Sequence, residues 1–448
     1  MIFCQWRVFV SKESVNMDKI SSVMRRSGAK RILIKRLANN DNSKQQIYLG
    51  SDFSVIQDLP VKEIVSSGMT SKGAIFKAAL DLFWITPDGN KEQAIHSQII
   101  LYPKYPEIRL SGVLQKCTLS PSELMKSPSL HERKERKEKH RYMVIGICEK
   151  HVLAYMSHWD DEISKEINSK INTNVLRPVF SIFFEDQIDI SDSKKLLIDR
   201  LKKVFSLGFI PSQRLERNGK IIQYNASNGA GLTLESFFNI IPNGKSEPDF
   251  IDWELKAHSS GPVTLMTPEP NSGLYLDDFL IFMNKYATGK KDNRMDFSSI
   301  HKVGIENKKT NLSLNLEGYD LEKEEIFDPS GGLNLRNGNG DLLAGWSFEK
   351  LLNHWKKKHA KTCFVSYVSK KENINKSYRY GPSVTLATGA ELKKLFTSLA
   401  TAVIYYDPGI NIKFNDGKKK IKKRNQFRIK LKDIDNIYTV TEQINLLD

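Results

Sequence analysis

The sequence predicts a mixed α/β (α+β) protein of two domains, the first mainly β and the second built from intermixed strands and helices. Three observations lead there. The 448 residues are too many for one ordinary domain and suit two. A hydrophobic fraction of 40% against 27% charged, with 22 Phe, 15 Tyr and 6 Trp, can fill sizeable cores and excludes a largely disordered chain. Short apolar runs bounded by turn residues mark the first part of the chain, whereas helical patterns recur between strands after it.

Taken in order, residues 17–44 are basic and partly helical in pattern, with Arg25, Arg26, Lys30, Arg31, Lys35 and Arg36 around Ile32-Leu33-Ile34. The Asn39–Gln46 segment reads as a polar loop. Strand patterns follow at 46–50, 74–76, 80–85, 98–102 and 108–113. The charged run 132–141 fits either a solvated linker or helix face, or a strip contacting phosphates. Strands are expected at 142–148, 151–156 and 179–184, with a helix at 160–170. A polar stretch at 189–194 sets the expected boundary, giving domains 1–189 and 190–448. Beyond it come helices at 194–205, 233–240, 346–358 and 389–399, and strands at 252–257, 362–368, 401–406 and 426–432.

The 68 Lys and Arg against 52 Asp and Glu leave a net charge of +16. Such an excess favours a polyanionic partner, nucleic acid first. No apolar stretch approaches the length of a bilayer span, so no membrane partner is expected. Cys4, Cys117, Cys148 and Cys363 are scattered without a CxxC pair, and Met1-Ile-Phe-Cys-Gln-Trp-Arg7 lacks a secretory pattern. Together these suggest a cytoplasmic protein without a disulfide framework or zinc site.

The chemistry concentrates between Gly229 and His258. On a strand, Glu254 and Lys256 share one face while Leu255 takes the other. Asp249 lies five residues before Glu254, across a short turn, and can bring a second carboxylate to the same place. Two carboxylates are hard oxygen donors suited to Mg²⁺, and an ammonium beside them can hold a water or offset growing negative charge. These are the parts of metal-assisted phosphodiester hydrolysis. A Glu-X-Lys alone is common on solvated strand faces, and a structural ion pair is the other reading of these residues. The apolar neighbours Phe250, Ile251, Trp253 and Leu255 make the charges costly to bury without a use. Glu235, on the preceding helix, offers a third carboxylate.

Pro248-Asp249, four residues, then Glu254-Leu-Lys256 is the PD-(D/E)XK nuclease pattern. With Glu235 fourteen residues upstream, the chain resembles the MutH-like branch of that superfamily, and within it the MvaI/BcnI restriction endonucleases. The resemblance also takes in Gly208–Arg214, Asn228–Gly231, Tyr406–Gly409 and Gln426–Ile429, and so spans about residues 190–448. It implies a MutH-like nuclease fold and a monomeric, Mg²⁺-dependent endonuclease that cuts duplex DNA one strand at a time. Glu235, Asp249, Glu254 and Lys256 would form the catalytic set, with Asp249 and Glu254 on the metal. A restriction enzyme of this kind would work beside a cognate DNA methyltransferase. A MutH-like nicking enzyme of DNA repair and a catalytically silent DNA-binding protein are the rival readings.

Lys413–Lys432 carries ten basic residues and one acid, Asp416. In 426–432, Phe427, Ile429 and Leu431 alternate with Arg428, Lys430 and Lys432, as on a strand burying one face. A soluble edge strand guarded by lysines is the plain reading, and a DNA-tracking surface is the other. On the second, Arg424 and Arg428 reach base edges while Lys420, Lys422, Lys423 and Lys430 meet phosphates. Arg214 completes the DNA-binding set, and the amino-terminal domain is expected to help recognition.

Overall fold

The computed structural model describes residues 15–448 except 40–45, 51–53, 72, 105–106, 137–138, 174, 180–182, 186–192, 227, 243–248, 252, 292, 357–360 and 416–417. Most of the expected 39–46 loop, the 189–194 boundary, Pro248 and Asp416 therefore lie wholly or partly outside the described residues. The architecture is mixed α/β, as the sequence predicts. No described helix is long and apolar enough to cross a membrane.

The chain forms two compact units. The first comprises residues 1–47, 80–98 and 110–188. Its sheet has seven strands in the order Arg177–Val179, Phe183–Glu185, Arg31–Arg36, Tyr142–Ile147, Val152–Met156, Leu82–Ile85, Lys91–Ala94. Every residue of Tyr142–Ile147 is buried, as befits a central strand covered on both faces. Helices Met17–Arg26 and Glu162–Asn172 pack on it through Ile20, Met24, Ile163 and Ile167. Each starts at a side-chain cap, Asn16 accepting from the Lys19 amide and Asp161 from the Ser164 amide.

The second unit comprises 48–79, 99–109 and 189–448, so two segments preceding residue 190 join it. Side chains of the Phe348–Trp355 helix explain why. The Asn353 amide both accepts from and donates to the Ile64 backbone, at 2.8 and 2.7 Å, and Glu349 accepts from the Ser66 amide. Lys356 donates to the Lys62 carbonyl at 2.7 Å, and Lys104 pairs with Glu325 at 3.3 Å. These contacts satisfy the outer strand, Ile64–Thr70, of the sheet Ile47–Gly50, Glu107–Ser111, Gln98–Tyr102, Gly73–Ala79, Ile64–Thr70.

The central sheet of this unit runs Ile210–Pro211, Asn375–Ala390, Lys361–Glu372, Glu254–His258, and Tyr438–Asn445 also pairs with Asn375–Ala390. Helices Ser193–Ser206 and Gly229–Ser236 cover it through Leu197, Leu201, Val204, Ala230 and Leu234.

Several expected elements differ. The 132–141 run is partly a helix, Leu130–Arg136, yet Arg136 and Arg141 are buried at 6% and 4% exposure. Arg136 lies 3.6 Å over the Trp159 ring and pairs with Glu132, so its apolar face is covered rather than solvated. The expected strand 179–184 is two antiparallel strands, Arg177–Val179 and Phe183–Glu185. Trp346 lies within a strand, Leu342–Ser347, and the helix starts at Phe348 behind a Ser347 cap. Of 401–406 only Tyr405–Tyr406 is strand. The 426–432 strand stops at Ile429, and Leu431–Asn436 is a 3₁₀ turn. In the amino-terminal basic cluster, Arg31 is paired with Glu185 at 2.6 Å. Burial, then Arg36, pulls Lys35 down to about 8.

One buried titratable group gives a stability prediction. His301 is fully buried, bonds Thr310 at 2.9 Å and stacks on Phe297, and burial lowers its pKa from 6.5 to about 4. Between pH 6.5 and 4 the unfolded chain takes up this proton and the folded chain does not. Stability is therefore full above about 6.5 and is lost as pH falls through the window, by about 3 kcal/mol from this group. His301→Phe should flatten the fall of melting temperature over that range. A wild-type slope unchanged in the variant would assign the acid sensitivity elsewhere.

Candidate active site

The Glu254–His258 strand runs parallel to Lys361–Glu372, with Glu254 opposite Thr362 and Lys256 opposite Phe364. Leu255 and Ala257 face the core with Cys363 and Val365. Alternation turns Glu254, Lys256 and His258 to the other side. Glu254 is 4% exposed, and the Lys256 ammonium lies 3.2 Å from its Oε1. Burying both charges costs several kcal/mol per ion before they attract each other, so such a pair is weak evidence for stability. Its retention needs another reason.

Asp249 joins them through the backbone. Phe250 and Trp253 exchange two amide bonds, 2.9 and 2.8 Å, closing a tight turn. That fold-back lets Asp249 Oδ2 accept from the Leu255 amide at 2.9 Å, setting its carboxylate beside the first peptide of the strand. Ile251 holds the turn at φ 56°, the left-handed region that a β-branched residue disfavours, with half its surface exposed. Ile251→Asn should therefore raise unfolding stability by about 1 kcal/mol with the site intact. Equilibrium urea unfolding checks it, and a loss of stability would show that the Ile251 side chain contributes packing the turn needs.

Glu235 sits on the Gly229–Ser236 helix, which packs against the motif strand. The helix begins at the glycine turn, four residues earlier than expected. Gly229 is required there, because a Cβ would meet Ser212 Oγ at 2.5 Å and Tyr378 OH at 2.7 Å. Tyr380 donates to the Ala230 carbonyl at 2.5 Å, and Thr233 bonds both backbone groups of Gln213. The helix is thus bolted to the Gln213–Leu215 strand, which carries Arg214. Arg214 pairs with Glu216 at 3.3 Å and lies over the Tyr224 ring.

Past the motif strand, Val263–Met266 pairs with Phe427–Ile429, which pairs with Tyr405–Tyr406. Asn228, Thr267, Glu269, Lys423, Arg424, Gln426 and Arg428 line a cleft of about 700 Å³ there. The cleft therefore joins the start of the Glu235 helix to the basic carboxy-terminal segment. Arg428 donates to Asp407 at 2.8 Å and to the Pro262 carbonyl at 2.6 Å, so a base contact would have to compete with both. Asn425 is fully buried, bonded to Glu269, Tyr275 and Tyr406, and holds the cleft wall rather than facing it. Lys423 lies over the Tyr275 and Phe279 rings. Lys420 and Lys422 are exposed on the Lys418–Lys422 strand, and Lys430 is exposed beyond Ile429. His258 bonds its neighbour's carbonyl at Ser259, and burial lowers its pKa.

The sequence model of the MvaI/BcnI restriction endonuclease family matches residues 198–438, more than half of the chain. The chain belongs to that family. It is accordingly a deoxyribonuclease of the site-specific endonuclease kind. Two solved structures are similar to part of the chain. One is restriction endonuclease MvaI with its cognate DNA substrate, at 20% identity and TM-score 0.44; the other is MvaI without DNA, at 19% and 0.32. Each covers 58% of this chain and 100% of its own. Comparison with curated proteins finds no match.

Within this MvaI/BcnI-type unit the structure brings Asp249, Glu254 and Lys256 together and packs the Glu235 helix against their strand. Asp249 and Glu254 offer only hard carboxylate oxygens, a donor set that fits Mg²⁺ with waters completing its shell. Among the described residues no three His, Cys, Asp or Glu side chains gather as a closed metal cage. Sequence reasoning missed Thr267 and Glu269 as cleft residues. Their only signal is position: they follow directly on the Val263–Met266 strand that pairs with Phe427–Ile429.

Proposed function

We propose that this protein is a Mg²⁺-dependent, type II-like restriction endonuclease that hydrolyses duplex DNA one strand at a time. The observation that carries the reading is the convergence of Asp249, Glu254 and Lys256 at one strand end inside the family-matched segment. Glu254 and Asp249 are the residues to hold the metal, and Glu235, on the helix packed against their strand, is the proposed support of its water shell. When bound, the cation supplies Lewis-acid stabilisation of the scissile phosphate. The Lys256 ammonium, held against Glu254, orients the attacking water and offsets negative charge as it develops on the phosphate oxygens. One such site, the one found among the described residues, serves one phosphodiester in each encounter, in keeping with action as a monomer. The cleft lined by Arg424, Gln426 and Arg428 supports base reading beside the site. The first unit is proposed to add DNA contacts, on the strength of the chain's net +16 charge, and a DNA methyltransferase is the expected system partner.

Supercoiled plasmid with the full-length protein and Mg²⁺ tests the strand order. Open circles should appear before linear DNA at low enzyme excess. Linear product from the earliest times, without an open-circle phase, would contradict single-strand action.

A further inference from the structure

A row of cations lies outside the set of residues that line the cleft. Strands Gly289–Lys291, Arg294–Phe297, Ile410–Asn415 and Lys418–Lys422 form one antiparallel sheet in that order. Their registers place Lys291 opposite Arg294, Arg294 opposite Lys413, and Lys413 opposite Lys420. Directly opposed residues in antiparallel strands share a face, so four cations stand in one row across all four strands. The neighbouring row on the other face is Lys290, Met295, Ile412 and Ile421, in which Ile412 is fully buried. The sheet therefore has an apolar side and a cationic side.

Like charges directly opposite one another destabilise a sheet, and here three such pairs follow in line. Arg294 is relieved by Asp296, which it grips through two bonds of 2.6 Å. Among the described residues no carboxylate pairs with Lys291, Lys413 or Lys420, which are all exposed. Lys422 registers the crowding: Arg424 first, then burial, then Lys413, Arg294 and Lys420 hold its ammonium below the ordinary lysine value. A solvated, lysine-guarded edge explains one strand of cations, since guarding is needed only where backbone groups are unpaired. It does not explain a row continuing across the two inner strands, Arg294–Phe297 and Ile410–Asn415.

We infer that this row is a docking surface for the sugar-phosphate backbone of duplex DNA, tracking one strand alongside the cleft. This rests on the endonuclease reading above and names the second surface that holds its substrate. Three steps between strands about 4.8 Å apart give a row of about 14 Å. That length passes about four phosphates of one strand at about 3.4 Å of rise each. Lysines suit this task, because they act as point charges without base selectivity.

The test uses full-length protein and a short random-sequence duplex in buffer without divalent metal, titrated at several salt concentrations. Lys291→Gln, Lys413→Gln and Lys420→Gln are made singly and together. Each lost phosphate contact should lower the slope of log affinity against log salt by about 0.9, so the triple variant should lose roughly 2 to 3. The double variant Lys290→Gln/Lys419→Gln, altered on the sheet's other face, should keep the wild-type slope. An unchanged slope in the triple variant, or an equal loss in the control, overturns the row as a DNA surface. If the triple variant does not fold, the three singles carry the same comparison. Wild-type cleavage of plasmid with Mg²⁺ is measured in parallel: its absence would overturn the nuclease reading alone, while the slopes still decide the row.

Discussion

Lys256→Ala and Glu254→Ala should each lower the single-turnover rate of DNA cleavage by at least about a hundredfold, with affinity for the duplex in Ca²⁺ or metal-free buffer nearly unchanged. The two residues form one buried pair, 3.2 Å apart, on a strand end that also receives Asp249. Removing Lys256 takes away a positive charge from the place where charge develops in the transition state. Removing Glu254 takes away a hard oxygen donor. Because the pair is buried, each single variant also leaves a charge uncompensated, so melting temperatures belong beside the rates. Glu254→Gln and Lys256→Met, close in shape, separate the two effects. Lost cleavage in a variant that melts near wild type supports chemistry. Cleavage within about tenfold of wild type in Lys256→Ala would sink the assignment.

The second large effect concerns where the catalytic unit ends. A chain cut to residues 190–448 lacks the sheet made from 47–50, 64–70, 73–79, 98–102 and 107–111. It leaves Glu349, Asn353, Lys356 and Glu325 without the partners they hold in the intact unit. Unsatisfied groups of this sort cost about 1–3 kcal/mol each where they become buried, and more is lost with the sheet's apolar face. The truncated chain is expected to melt well below the full-length protein, or to aggregate. Thermal unfolding of the two side by side is the check. Equal stability would show that residues 48–79 and 99–109 contribute no fold energy to this unit.

The strand of the Glu-X-Lys motif was legible because its signal is local. Glu254 and Lys256 lie two residues apart, Asp249 is across one turn, and strand alternation alone puts the first two on one face. The helices Glu162–Asn172 and Ser193–Ser206 were legible for the same reason, through their local helical pattern. What failed was either ambiguous in period or long in range. Trp346 fits the helical spacing of Phe348, Leu351, Leu352 and Trp355, yet belongs to the strand before the cap; only Ser347 marks the change. Strands such as Gly289–Lys291 and Arg294–Phe297 are too short and polar to show alternation, so the sheet carrying the cation row was invisible. The Arg428–Asp407 pair and the Asn353–Ile64 bridge join residues far apart in sequence. Nothing in a single chain of letters announces them.

The most direct test of the account is cleavage itself. Full-length protein is incubated with Mg²⁺ and plasmid DNA, methylated and unmethylated, and the product ends are sequenced, with Lys256→Ala run alongside. The account predicts ends at one short recurrent sequence, cutting that requires the metal, and none from the variant. Intact plasmid with the wild-type protein, or the same ends from Lys256→Ala, would contradict it.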